Sequence, residues 1–247
     1  MSHSIYMAYA GLQSRADALE LIGNNLANLQ SAGFKQKQFY FHVLNVLGED
    51  ASNLGEAING PVVKTLDATD FSNGSLTETG GPLDLGLTGD GFFAVRTDHG
   101  TFYTRDGHFE LNARGQLVDQ NGDLVLAEDG KQGQPLTLPP GKIEIAPNGQ
   151  VSVDGIAAGT LRLVSFERPN ELQPVGASLF KAPDGASTIP PTRTTVAQGY
   201  LEQANVNVLT SVTQMIDLMR SFESLSQAVR TMTRDVDQHL ISELAKV

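Results

Sequence analysis

Apolar and small residues open the chain with a helical rhythm. Ile5, Tyr9, Leu12, Ala16, Leu19, Ile22, Leu26 and Leu29 are separated by steps of 3 and 4, the spacing that lines up one face of a helix. Gly33 is expected to end this helix, because a left-handed cap favours glycine. A longer pattern closes the chain. Val208, Val212, Met215, Met219, Phe222, Leu225, Val229, Met232, Val236 and Leu240 keep the same steps, and neither Gly nor Pro interrupts from Tyr200 onward. Asn207 is the expected N-cap. A helix from about Val208 to Glu243 would be roughly 50 Å long. A compact domain of this size cannot cover such a stripe alone. The near-heptad spacing therefore predicts a coiled-coil partner, most simply the N-terminal helix, with other subunits able to supply more.

The middle has a different pattern. Short apolar runs such as Gly91–Val95, Thr101–Tyr103, Gly115–Val118 and Leu124–Ala127 alternate with Asp98-His99-Gly100, Arg105-Asp106-Gly107, Asn121-Gly122-Asp123 and Glu128-Asp129-Gly130. Turn signals at this spacing predict an all-β domain of hairpins. Lys142–Ala146, Gln150–Val153 and Leu161–Phe166 read as further strands, and Pro183–Thr195 as an extended return. Phe92 and Phe93 are expected to fill both faces of their strand. Phe34–Asp84 is polar and weakly periodic, and reads as an extended arm that orders on contact with neighbours. The fold class is α+β: terminal helices paired as a coiled coil (1–33 and 200–247), a connecting segment (34–84) and a central β-rich domain (85–199).

Composition narrows the chemistry. The 247 residues include 28 Asp and Glu against 17 Lys and Arg, a net charge of −11, with no Cys and no Trp. Without Cys there is no disulfide scaffold, thiolate nucleophile or Cys-based metal site. The acidic balance is a poor match to a phosphate backbone. No apolar stretch approaches the ~18 residues of a membrane span, and Met1–Gly11 lacks the pattern of a cleaved signal peptide. Residues 1–33 carry −1 and residues 200–247 carry −2, so the helical ends are nearly neutral and the middle holds the solubilising charge.

Catalytic constellations fail one by one. His3, His42, His99, His108 and His239 show no metal-site spacing. Asp119-Gln-Asn121-Gly-Asp123 begins like a calcium loop, but Gly130 stands where the twelfth-position glutamate belongs. There is no nucleophile elbow and no Walker loop. Neither an enzyme nor a cofactor is expected. Met215, Met219 and Met232 on the stripe suit an adaptable helix seam.

Three stretches carry a family resemblance: Gly23-Asn-Asn-Leu-Ala-Asn28 with Ala32-Gly33-Phe34-Lys35; Gly74-Ser-Leu-Thr-Glu-Thr-Gly80 running through Pro82–Leu85 to Gly89-Asp90-Gly91-Phe92-Phe93, with Tyr103-Thr-Arg-Asp-Gly107 and Gly115–Val118; and Gly199-Tyr-Leu-Glu-Gln-Ala-Asn205-Val-Asn207 before the long helix with Arg220-Ser-Phe222-Glu223. Together they resemble the flagellar basal-body rod and hook protein family, from one end of the chain to the other. The opening and the Phe222-Glu223 form look more like its proximal rod members. Distal rod members, which usually have Tyr-Glu there and an aromatic after the glycine where Asp123 follows Gly122, are the alternative.

The resemblance implies a structural subunit whose terminal helices line a tube that transmits torque, with the β-rich domain outside. It implies copies of itself and other proximal and distal rod proteins as partners, and no nucleic acid or small-molecule substrate. It also implies passage through the flagellar type III export apparatus without a cleaved signal peptide, ending in the periplasmic rod. A Cys-free chain would avoid wrong cross-links there. On the first helix, Leu12, Leu19, Ile22 and Leu26 are expected to pack between subunits. Asn24, Asn25 and Asn28 would either bond across helices or satisfy carbonyls near the helix end. Gly33, Phe34, Asn205 and Asn207 belong to the same expected set, as do Val212, Met215, Met219, Phe222, Leu225, Val229, Met232 and Val236 on the second helix. A reading from another class is a soluble β-domain binding module dimerised by a coiled coil.

Overall fold

The computed structural model describes residues 2–45, 61–128, 133–176, 178–183, 185–191 and 193–244. They divide into two compact units, one made of 1–26, 37–68 and 207–247, the other of 27–36 and 69–206.

The first unit holds helices α1 (Ser2–Ala27) and α2 (Val208–Leu244) and a two-stranded sheet of β1 (Lys37–Asn45) and β2 (Pro61–Thr69). Ser14, Ala18, Ile22 and Asn25 are the buried face of α1, at the 3- and 4-residue spacing of one helix side. On α2, Ser211 and Val229 are buried and Met215, Leu218, Phe222 and Leu225 half-buried. The helices touch. Arg15 Nε donates to Ser221 Oγ at 2.7 Å, and a methyl group on Gly11 would stand 3.2 Å from Leu225 Cδ2. Numbers rise along α1 as they fall along α2, so the contact is antiparallel. Asn207 caps α2: its Oδ1 accepts from Thr210 N at 3.1 Å.

Two expectations change here. Helix α1 stops at Ala27, and Asn28–Gly33 is a turn in which Ser31 N donates to Asn28 O at 3.1 Å. Gly33 does have a left-handed φ of 66°, but it serves a close approach described below and not the helix cap. The arm expected over 34–84 contains β1 and β2, nine residues each. Phe39, Tyr40, Phe41 and Val43 in β1, and Val62, Val63 and Thr65 in β2, are aromatic and β-branched residues that suit a pleated surface. Neither run alternates with polar residues cleanly enough to read as a half-buried strand.

The second unit is β-rich. Its main sheet runs in the order Gln173–Val175, Leu179–Lys181, Gly100–Thr104, Phe92–Thr97, Leu124–Val125, Leu117–Val118, Glu110–Leu111, with Leu163–Phe166 joined to Phe92–Thr97 and to Thr188–Ile189. A second sheet pairs Ile143–Ile145, Gln150–Val153 and Ile156–Thr160. Two small ladders return the chain to its start: Thr195–Gln198 pairs with Leu85–Thr88, and Tyr200–Glu202 with Leu76–Glu78. Alternation sends Phe93 into a core with Leu85, Val95, Leu117 and Val196. Phe92 enters a second core with Tyr103, Val164, Phe166 and Phe180. Phe93→Ala removes a fully buried ring that meets Phe109 edge-on at 5.0 Å. It is expected to cost about 3–5 kcal/mol, read as a lower urea midpoint for the β-rich unit.

Candidate functional site

Gly33–Gln36 lies beside Glu202–Asn205 in the second unit. Gly33 N donates to Glu202 O at 2.8 Å and Asn205 N to Phe34 O at 3.4 Å. Gln36 N donates to Asn205 Oδ1 at 2.7 Å, while Asn205 Nδ2 donates to Asp70 O at 2.8 Å and Ser72 O at 3.1 Å. Gly33 passes so close to the Arg105–Asp106 peptide that a Cβ would stand 2.2 Å from its carbonyl carbon and nitrogen. Both its dihedral and its surroundings exclude any other residue.

The side chains inside this junction are charged. Lys35 Nζ donates to Glu202 Oε1 at 2.6 Å and to Ser72 O at 2.7 Å. Arg105 Nη1 lies 3.3 Å from Glu202 Oε2 and 3.2 Å from Asn73 Oδ1, and its Nη2 donates to Gly89 O at 2.6 Å. Gly74 N donates to Glu202 Oε1 at 2.9 Å. The guanidinium carbon sits 4.8 Å over the Phe92 ring, a cation–π contact. All three charged side chains are 1% exposed or less. Burial pushes the Lys35 ammonium and the Arg105 guanidinium below their ordinary pKa, opposed by the Glu202 charge. A group so enclosed meets no substrate. What the arrangement can do is hold, because each cation needs the one carboxylate.

The expected packing residues separate into groups. Gly33, Phe34, Asn205 and Asn207 are engaged within the chain by the bonds above. Asn25 resolves neither of its two expected ways: its Nδ2 donates to Lys37 O at 2.8 Å and its Oδ1 accepts from Lys37 N at 2.9 Å, so it pins the first residue of β1. Asn28 meets Ser31 Oγ at 3.3 Å. Ile22 and Val229 are buried; Leu12, Leu19, Leu26, Met215, Phe222 and Leu225 are half-buried; Asn24, Val212, Met219 and Met232 are exposed. The Val236 side chain lies outside the described residues, as do those of His3, His42 and His239. His108 Nδ1 is 2.7 Å from Asp84 Oδ1, and His99 sits in a turn. Asp119 Oδ1 accepts from Asn121 N and Asp123 N, both at 2.9 Å, so the calcium-like run is a turn organised by its own carboxylate.

Lys35, Arg105 and Glu202 were absent from the expected set. The available signal was that each of the three ionisable residues lies in a glycine-bearing motif. Nothing local says that they meet.

Arg105 and Glu202 each lie within a stretch that matches a known family. Residues 86–153 match the family model described as the flagellar hook protein FlgE/F/G D1 domain. Residues 197–239 match the model described as the flagellar basal body rod FlgEFG protein C-terminal. The flagellar basal-body rod protein FlgF of Caulobacter vibrioides is 31% identical over the whole of both chains. The chain belongs to the flagellar basal-body rod protein family. Rod proteins named FlgG are also similar, at 29% over 98% of this chain and 99% of the Bacillus subtilis protein. The Caulobacter FlgG is 30% identical over 91% of this chain. In that organism the FlgF match is the more complete.

In this rod-family chain Glu202→Gln would leave two buried cations without a counter-ion. It is expected to cost about 3–5 kcal/mol. Lys35 then titrates with a pKa held below its usual 10.5. The unfolded chain binds the extra proton in that window, so the variant's stability rises with pH up to the unfolded value. Urea melts between pH 7 and 10 read both effects.

Proposed function

We propose that this chain is a structural subunit of the proximal segment of the flagellar rod, polymerising through its terminal helices into a helical tube that carries torque from motor to hook. The observation that carries the reading is α2. It spends one face on α1 and leaves Leu209, Val212, Ile216 and Met219 exposed, at 79%, 39%, 45% and 46%. A stripe of that kind is uncovered in a lone chain and covered in an assembly. The α1–α2 pair acts as the coiled-coil packing domain, with the β1–β2 segment as connection and the β-rich unit as the outer domain. Its partners are further copies and other proximal and distal rod proteins. It reaches the periplasm through the type III export apparatus, and performs no catalysis. The similarity to FlgG supports a distal position as the second reading.

Two measurements test this. In a dilute monomer, hydrogen exchange is expected to be fast along α1 and α2, whose stability comes from packing. It should be slow in the β-rich sheet and at Gly33, Gln36 and Asn205; equal protection of helices and sheet would count against the reading. Leu225→Asp, on the seam beside Gly11, is expected to abolish rod assembly and swimming while the β-rich unit keeps its melting temperature. Normal swimming would refute it.

A further inference from the structure

On α2 the exposed positions form a stripe of their own. Leu209, Val212, Ile216 and Met219 continue through Glu223, Gln227, Arg230 and Arg234. At 3.6 residues per turn they share one side, roughly a third of a turn from the seam that faces α1. All eight are exposed. The stripe is apolar in its first turns and basic later: with Arg220 beside it, three arginines stand against Glu223. None of the three pairs with a carboxylate among the described residues.

A surface of the opposite sign lies elsewhere in the same unit. Asp17, Glu20, Leu21 and Asn24 of α1 and Lys37 and Asp67 of the β1–β2 sheet line a cleft of about 310 Å³. Three carboxylates there face a single ammonium, and Lys37 Nζ is 3.9 Å from Asp67 Oδ2, too long for a hydrogen bond. Leu21 adds an apolar side chain to the lining.

We propose that the second stripe of α2 docks against the acidic cleft of a neighbouring copy of this chain, Arg230 and Arg234 meeting Asp17, Glu20 and Asp67. Stripe and cleft are different surfaces, so the contact is heterologous and repeats along an open path. Arg230 and Arg234 outnumber Glu223 on the stripe, and three carboxylates outnumber Lys37 in the cleft, so the two surfaces carry opposite net charge. Charge complementarity then selects the partner and its register, while the apolar quartet supplies the buried area. The proposal rests on the rod-subunit reading and specifies which surfaces meet.

Charge reversal tests it in cells that produce only the full-length variant chain. Arg230→Glu with Arg234→Glu is expected to abolish swimming, as is Asp17→Lys with Glu20→Lys, and the four changes together are expected to restore it. Failure of the combined variant to swim, or normal swimming of either pair, overturns the proposal. A second measurement identifies the partner. The chain has no cysteine, so Glu20→Cys with Arg230→Cys introduces the only thiols. The antiparallel contact, with Arg15 beside Ser221, sets Glu20 level with Ile216, about 20 Å along α2 from Arg230. A disulfide within one copy is therefore out of reach. Oxidised basal bodies are expected to yield dimers and longer multimers of this chain. Monomer alone, or an adduct with a different basal-body protein, overturns the second copy as occupant. The rod-subunit reading fails separately, if cells lacking the chain altogether still build rods and swim.

Discussion

A carboxylate with no access to water holds three distant parts of this chain together. Glu202 is surrounded by Lys35, Arg105 and the Gly74 amide, and its own carbonyl takes the Gly33 amide. Replacing such a cluster with apolar groups would be tolerable in energy terms. Removing one member is not, because desolvation of the remaining charges has no compensation. The consequence is conditional order. Residues 33–36, 72–74, the Gly89 loop, Arg105 and the 199–205 strand are each placed correctly only when the others are. Residues 33–36 and 202–205 therefore adopt one arrangement within the β-rich unit, and Asn205 closes it with bonds to Gln36 and Asp70. For a structural rod-family protein, that uniqueness matters more than net stabilisation.

The helical unit faces the opposite problem. A 37-residue helix presents more apolar surface than one partner helix can cover. The chain divides that surface into two faces. One carries Ser211, Met215, Phe222, Leu225 and Val229, on the side where Ser221 and Leu225 meet Arg15 and Gly11 of α1. The other, with Leu209, Val212, Ile216 and Met219, is exposed. A seam facing α1 and an exposed apolar stripe on the same helix give one element two distinct faces. The near-neutral helical ends fit that use, and the charge that keeps the monomer soluble resides in the β-rich part.

Much of this was legible without coordinates wherever the causal interaction is local. Steps of 3 and 4 located both helices, Asn207 announced its cap, and turn signals marked the strands from Phe92 to Val153. The Phe92-Phe93 pair implied two buried faces because side chains alternate across any strand. Expectations failed where a residue answers to something far away in sequence. Gly33 looked like a helix cap, and its real constraint is the Arg105–Asp106 peptide. Asn25 was expected either to bond across helices or to satisfy carbonyls near the helix end, and it instead brackets the backbone of Lys37. The α2 stripe read as one face, since periodicity alone does not say which side of a helix another helix covers.

The sequence by itself determined the two helices, many strands of the β-rich unit, the absence of cysteine chemistry and the family resemblance, because these rest on local spacing and on motifs that can be read in a line. Tertiary structure alone decided that Lys35, Arg105 and Glu202 are partners, that β1 and β2 form a sheet, and which side of α2 is left for neighbours. The reason is that a buried charge and a covered helix face are each defined by atoms tens or hundreds of residues away, and spacing along the chain carries no record of those distances.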